Sequence, residues 1–220
     1  MGIAERRERE KSERRRAILN CTRELILMEG VEQVSMEDIA RKAELSKATI
    51  YLYFSGKEVI FNEICEEAAR GFLEHIKPEA NLTGIKGLKC FWRGYMELFG
   101  NFDEMIIIFK VRNFLNPGLP FVSLEEQSKS SNVDAVLVTM KTIIDQCKTE
   151  GVFDLNLDSE MATRLLLSMF SNSVDNASRL PAEVRRSPAF LAEMKKAFQI
   201  MIYGFAREGV DRSRLDIMGV

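Results

Sequence analysis

Four cysteines, one histidine and a scatter of carboxylates are the residues with which this 220-residue chain could do covalent or metal chemistry. Cys21, Cys65, Cys90 and Cys147 stand far apart with no CxxC pair, and only His75 is available to join them at a metal. Structural zinc needs closely spaced ligands, so the thiols read as reduced core side chains, and no metal or cofactor is expected. Asp103 and Glu104 adjoin, but neighbours on a helix point apart, which suits a helix cap or a solvated face. No nucleophile has an identifiable base and no glycine-rich phosphate loop occurs, so the chain is not expected to be an enzyme.

The other chemistry on offer is non-covalent. Between Ser35 and Lys57 the chain carries Lys47, Thr49, Tyr51 and Tyr53, whose hydroxyl and ammonium groups suit phosphate oxygens and base edges. Three helices and their turns must position them. Ser35 is an N-cap with Asp38 at N3 and a hydrophobic staple of Val34 and Ile39, which predicts a helix to about Ala43. Glu44 and Leu45 interrupt it, and Ser46 caps a short helix, Lys47 to Leu52, with Ile50 and in part Ala48 inward. Ser55, with Glu58 at N3 and the staple pair Phe54 and Val59, opens a fourth helix that reaches about Lys77 before Pro78. Ahead of these, Ile18, Cys21, Thr22, Leu25 and Met28 form the face of a first helix closed by Gly30, while Glu5 to Arg16 reads as a mobile arm merging into it.

Two short capped helices joined by a tight turn match the helix-turn-helix plan, in which the second helix enters the major groove. That helix needs small or polar residues facing out and apolar residues behind. Lys47, Ala48, Thr49 and Tyr51 meet the first requirement, and Leu45, Ile50 and Phe54 the second. Lys47 could donate to guanine O6/N7, and Ala48 and the Tyr51 ring could touch a thymine methyl. Ser35, Thr49, Tyr53 and Lys57 are the candidates for phosphate contact. Lys57 opposes the dipole of the helix it begins, which an intervening anion would rationalise; a solvated lysine is the alternative. Arg14, Arg15 and Arg16 could reach a minor groove or the backbone, or form an exposed turn balanced by Glu8, Glu10 and Glu13.

Charge is distributed in keeping with this. The chain carries a net −2, made up of +2 over residues 1–57 (twelve Lys/Arg against ten Asp/Glu) and −4 beyond (nineteen against twenty-three). Any DNA footprint therefore rests on a few well-placed cations at the front. Charge density at the N-terminus and the lack of a long apolar run argue against a signal peptide or membrane span, so a cytosolic (cytoplasmic) protein is expected. No alternating strand pattern stands out, and the fold class is all-α, with further helices at about 85–99, 103–115, 120–149, 159–179 and 188–207. Gly84, Gly100, Pro117-Gly118, Gly151 and Pro181 mark the breaks, and Asp158 and Ser187, the latter followed by Pro188, are the N-caps of the last two. The expected division is a DNA-binding head over 1–57 and a larger helical domain over 58–220.

The run Ser35-Met36-Glu37-Asp38-Ile39-Ala40, followed by Ala43-Glu44-Leu45-Ser46-Lys47-Ala48-Thr49-Ile50-Tyr51-Leu52-Tyr53-Phe54-Ser55-Gly56-Lys57-Glu58, resembles the signature of the TetR (tetracycline repressor) family of bacterial regulators. The resemblance covers about a quarter of the chain. It implies that Lys47, Ala48 and Tyr51 face bases and that Ser35, Thr49, Tyr53 and Lys57 meet the backbone of a double-stranded, roughly palindromic operator. Two positions depart from the pattern. Glu44 stands where a turn glycine is usual, so the turn must avoid a left-handed conformation or tolerate strain, and Ala48 replaces a frequent glycine or proline.

In the larger domain Phe91, Tyr95 and Phe99 follow at i+4 steps with Trp92 alongside, and Met105, Phe109, Arg112 and Asn113 come next. Such a stripe is either core or the lining of an apolar pocket with a few polar groups, and the resemblance implies the pocket, for a small-molecule effector. Met161, Leu165 and Met169, with Met194, Phe198, Met201 and Phe205, give the last two helices apolar faces large for one monomer to hide. A homodimer follows, and the resemblance places a two-fold, four-helix interface there. The expected function is a sequence-specific, homodimeric repressor released from its operator by the effector. The alternative is a helical protein-interaction module that does not bind DNA.

Overall fold

A computed structural model describes residues 2–76, 84–100, 102–115, 131–185 and 187–216. The helices are α1 (Ile3–Glu29), α2 (Met36–Lys42), α3 (Lys47–Tyr51), α4 (Lys57–Ile76), α5 (Gly84–Gly100), α6 (Phe102–Leu115), α7 (Asn132–Thr149), α8 (Ser159–Ser178), α9 (Ala182–Arg185) and α10 (Pro188–Phe205). The fold is all-α, and the only β pairing among the described residues is the isolated bridge between Phe153 and Ala206. No helix among them is long and apolar enough to cross a membrane.

The chain divides into two compact units, Met1–Cys65 with Ile106–Pro117, and Glu66–Met105 with Gly118–Val220. In the first, α1 packs on α2 and α2 on α3, around Ile18, Leu19, Leu25, Ile26, Val34, Ile39, Ile50, Phe54, Ile60, Phe61 and Ile64, all buried. The inward face of α1 is thus Ile18, Leu19, Thr22, Leu25 and Ile26, a stripe of i, i+1, i+4, i+7 and i+8. Met28, expected on that face, lies off the stripe and is 72% exposed. Buried Thr22 donates its hydroxyl to the Ile18 carbonyl at 2.8 Å, so its burial leaves no orphan. Gly30 closes the helix at φ 89°, donating its N–H to the Ile26 carbonyl at 3.1 Å.

The expected mobile arm is instead the first half of α1. Glu5 accepts from the Gly2 N–H at 2.8 Å, and the ion pairs Arg6–Glu10 and Arg9–Glu13 join successive turns. Such i,i+4 pairs are worth a few tenths of a kcal/mol each, about enough to favour helix over coil in a segment already nucleated by the head.

The second unit comprises α5, α7, α8, α9, α10 and the adjoining stretches of α4 and α6, with α5 on α7, α7 on α8, and α8 on α10. Serine or aspartate caps open three of these helices. Ser131 accepts from Asp134 N–H, Asp158 from Glu160 and Met161, and Ser187 from Phe190, with Pro188 at the first turn. α9 was not foreseen; it is a single turn following Pro181. Buried Ser159 donates to Asp145 at 2.5 Å, and Thr163 donates back to the Ser159 carbonyl at 2.8 Å, so α7 and α8 are joined by satisfied polar groups. The turn after α7 is tied to the end of α10 by Asp154 N–H to Phe205 O and Arg207 N–H to Val152 O, both 3.0 Å. The anticipated stop at Pro78, the break at Pro117-Gly118, the 120–130 part of the helix expected over 120–149 and the side chain of His75 lie outside the described residues.

All four cysteines are free, and Cys65, Cys90 and Cys147 are buried. Burial pushes the Cys147 thiol up to about 12, with Glu150 adding to it, so this sulfur stays a neutral apolar group. No cluster of His, Cys, Asp or Glu among the described residues has the make-up of a metal site.

Candidate nucleic-acid interface

The surface centred on α3 is built from its caps outward. Ser35 Oγ accepts from the Asp38 N–H at 3.2 Å, and Asp38 Oδ2 accepts from the Ser35 N–H at 3.2 Å and its hydroxyl at 2.5 Å, a reciprocal capping box that fixes the start of α2. The Ser35 hydroxyl, foremost, holds the Asp38 carboxyl below its ordinary value, although burial acts the other way. Val34 and Ile39 are both buried, as a staple requires. α2 is also pinned to α1 by Lys42 and Glu24 at 2.7 Å.

The turn to α3 passes through Glu44 at φ 55°. The glutamate therefore adopts the left-handed conformation that glycine takes without penalty, at a cost of about 1–2 kcal/mol. Glu44 N–H donates to the Arg41 carbonyl at 3.2 Å and Leu45 N–H to the Ala40 carbonyl at 3.0 Å, so the turn is held by backbone bonds on both sides of the strained residue. Ser46 then caps α3, accepting from the Thr49 N–H at 3.0 Å, with its hydroxyl 2.7 Å from that of Thr49.

From this cap Lys47 and Ala48 project into solvent, Tyr51 is 47% exposed, and Ile50 and Phe54 are buried beneath. Ala48, expected partly inward, is exposed. Ser35 is exposed as well, while Thr49, Tyr53 and Lys57 are half-buried. Lys47, Ala48 and Tyr51 thus share the outer side of one helix. Leu52, at 82% exposure, joins them, which sequence reasoning missed; the i+4 step from Ala48 was the available signal.

Lys57 lies in the first turn of α4, as expected, but the preceding Gly56 carbonyl accepts the first helical bond, from Ile60 N–H at 3.4 Å, and Val59 stays exposed instead of completing a staple with Phe54. The helix starts one residue later than Ser55 as N-cap would set it, so Ile60 turns inward in place of Val59. Lys57 Nζ donates to the Val34 carbonyl at 3.0 Å and lies 5.2 Å from the Phe114 ring centre. A carbonyl and an aromatic face thus supply part of the negative environment for which a phosphate was invoked. Arg15, expected to reach DNA or to lie in an exposed turn, instead makes contacts within the head. It pairs with Glu63 through two nitrogens, donates to the Tyr53 carbonyl at 3.0 Å and lies 4.2 Å from the Phe54 ring centre.

The residues expected around an effector fall in both compact units. Phe91, Trp92, Tyr95 and Met105 are buried in the second unit; Phe109, Arg112 and Asn113 belong to the first; the Phe99 side chain lies outside the described residues. Trp92 stacks on Phe198 at 4.3 Å and Tyr95 on Phe170 at 3.9 Å, making one aromatic cluster from α5, α8 and α10. Burial pushes the Tyr95 phenol well up, so it is a neutral donor, and its hydroxyl lies 3.5 Å from the Phe170 carbonyl. Phe91 meets Phe72 edge-on.

Phe198 has no exposed surface and belongs to that cluster, and Met194 and Phe205 are also buried, so a single chain already covers these three of the expected interface residues. They face inward because α10 turns this stripe onto α8. On the outer side, Met161 and Leu165 are exposed, Met169 and Met201 half-buried, and Ile200, not foreseen, is 60% exposed between Ala197 and Gly204.

Residues 18–64 match the family model described as "Bacterial regulatory proteins, tetR family". The HTH-type transcriptional regulator YdgC of Bacillus subtilis is 24% identical over 202 residues, spanning 90% of this chain and 96% of its own. The fatty acid degradation regulator FadR of Bacillus halodurans superposes with a TM-score of 0.65 at 18% identity, over 88% of this chain and 97% of its own. FadR of Bacillus subtilis, solved in complex with stearoyl-CoA, gives 0.64 at 18% identity, over 86% and 97%. The matched segment contains the whole of α2, the strained turn, α3 and its exposed outer side, so residues 18–64 carry the helix-turn-helix of the tetR family of bacterial regulatory proteins and the protein is a DNA-binding transcriptional regulator.

Proposed function

We propose that the protein is a homodimeric repressor that reads a roughly palindromic operator through α3 and leaves it when a small apolar effector binds the second unit. The observation that carries the reading is the polarity of α3. Lys47, Ala48 and Tyr51 are presented outward from a helix whose other side, Ile50, is wholly buried, so the helix is held firmly and its free side offers a cation, a methyl and an aromatic ring. Lys47 and Tyr51 are assigned to base edges, with Ala48 against a thymine methyl. Ser35, Thr49, Tyr53 and Lys57 are assigned to phosphates, which Ser35, Thr49 and Lys57 would meet by sharing or exchanging the side-chain bonds they now make.

Dimerisation is assigned to the outer side of α8 and α10. Met161, Leu165, Met169, Ile200 and Met201 supply apolar surface, and Ala197 and Gly204 allow close helix approach. A two-fold dimer places two copies of α3 about 34–36 Å apart, one turn of duplex.

For the effector, the Trp92, Tyr95, Phe170 and Phe198 cluster supplies the apolar, aromatic surface that such sites use. The stearoyl-CoA bound by the Bacillus subtilis regulator makes a long-chain acyl thioester the first probe to try. Binding can lower DNA affinity only to the extent that the effector favours one conformation over another. Selecting bound sequences from random duplex DNA with the full chain tests groove reading and dimerisation together. A two-fold consensus is the expected result, and recovery of no enriched sequence would refute the reading.

A further inference from the structure

The helix-turn-helix itself carries no cationic excess. Residues 17–57 hold five Lys/Arg (Arg23, Arg41, Lys42, Lys47, Lys57) against six Asp/Glu, a net −1, whereas residues 1–16 hold seven against four, a net +3. The positive balance of the DNA-reading head therefore sits on the first half of α1, +1 on residues 1–14 (five against four), which extend beyond the head, and +2 on Arg15 and Arg16 at its edge. That part is ordered: Ala4 to Arg14 are helical, and each of these side chains is exposed. At 1.5 Å per residue it continues for about 15 Å past the point where Arg15 touches Tyr53.

Its charges are sorted by face. Arg6 and Arg9 are neutralised by Glu10 and Glu13, and Glu5 is occupied at the helix start. Arg7, Lys11 and Arg14, at i, i+4 and i+7, form one row, and none of the three makes an ion pair among the described residues. Eighteen residues, five full turns, separate Arg7 from Leu25, so the row prolongs the face of α1 that the head covers. Past the head nothing described covers that face. It starts next to Tyr53, at the end of α3, because Arg15, Arg14's neighbour, donates to the Tyr53 carbonyl.

We infer that this helical extension is a second DNA-binding element, which lays Arg7, Lys11 and Arg14 along the phosphate backbone of duplex flanking the sequence that α3 reads. The inference rests on the proposed operator-binding function. The partner is fixed by charge and shape: the row spans about 10 Å, over which a duplex presents about six phosphates. A rigid row of cations at helical spacing meets that density without first paying to order a flexible arm. It contributes affinity and salt dependence but no base preference, since phosphates are the same at every step.

The test compares the full-length wild type with Arg7→Gln/Lys11→Gln/Arg14→Gln and with Arg7→Lys/Arg14→Lys, on the selected duplex with either ten extra base pairs on each side or none. Each phosphate contact contributes about 0.9 to the slope of log affinity against log salt, so the glutamine variant should lose about 1 to 3 per arm and about tenfold or more in affinity on the long duplex. On the trimmed duplex it should match the wild type, its selected consensus should be unchanged, and the lysine variant should bind the long duplex as the wild type does. Equal affinity and slope for glutamine variant and wild type on the long duplex overturns the role of the extension while leaving α3 as the reading helix. A wild type that binds no duplex overturns both. Loss of affinity on the trimmed duplex as well would show that the substitutions act through the head, and would also overturn the inference.

Discussion

The Arg15 guanidinium donates to the main-chain carbonyl of Tyr53 at 3.0 Å, so a side chain of α1 holds the exit of the reading helix. The same group lies over Phe54 and pairs with Glu63, which makes it a clamp among α1, α3 and α4. Planarity matters, because a compact ammonium on a single nitrogen cannot pair the carboxylate through two nitrogens, reach the carbonyl and lie flat on the ring at once. Arg15→Lys is therefore expected to behave much like Arg15→Ala. Both should lower unfolding stability by about 1 kcal/mol, measured by urea titration, given that the pair is partly solvated. A lysine variant as stable as wild type would show that charge alone suffices.

Glu44 occupies a left-handed turn at φ 55°. Glycine removes the steric cost of about 1–2 kcal/mol but adds unfolded-state entropy worth somewhat less. Glu44→Gly should stabilise the protein by about 0.5 kcal/mol, seen as a higher urea midpoint with an unchanged slope, whereas Glu44→Val should destabilise it by more than that.

The Ser35–Asp38 capping box predicts a pH effect with a definite sign. The Asp38 carboxyl is held below its ordinary value, chiefly by the Ser35 hydroxyl. A lowered native value means that the carboxylate's contribution is fully present above the unfolded value of about 3.9 and is lost as pH falls through the native one. Asp38→Asn should melt below the wild type at pH 6, and the gap should narrow on acidification towards pH 2. A gap independent of pH would show that the charge is irrelevant to the cap.

Trp92 is the chain's single tryptophan and lies 4.3 Å from Phe198 in a buried stack. An apolar effector that enters the aromatic cluster should change Trp92 emission over the same concentration range in which it weakens DNA binding. Release from DNA with unaltered emission would place the effector elsewhere.

Much of the head could be read directly from the chain, because its signals are local. Ser35, Asp38, Val34 and Ile39 act within five residues of one another, and Ser46 caps α3 where expected. What escaped were contacts distant in sequence. Arg15 finds Tyr53 and Glu63, 38 and 48 residues away, and nothing near Arg15 announces those partners. At Ser55 the local pattern misled: a serine with a glutamate three residues on resembles a cap, but burial of Ile60 in preference to Val59 shifts the helix by one residue. In the arm, charge density suggested mobility, yet the i,i+4 order of those charges supports a helix. The apolar residues of α10 failed differently. Phe198 and Met194 looked like surplus surface because the sequence could not show that Trp92 and Phe170 cover that side. Nor could a linear division show that residues 106–115 return to the first unit.

Base reading by the outward side of α3 is tested most directly by the DNA consensus that Tyr51→Ala selects, beside that of the wild type. Tyr51 is half exposed over a buried Ile50, so its loss should leave folding intact. It should weaken binding by about 1–3 kcal/mol and relax the preference at one position in each half-site, leaving the others as they were. An identical consensus bound with identical affinity would contradict the claim that this helix reads the base pairs.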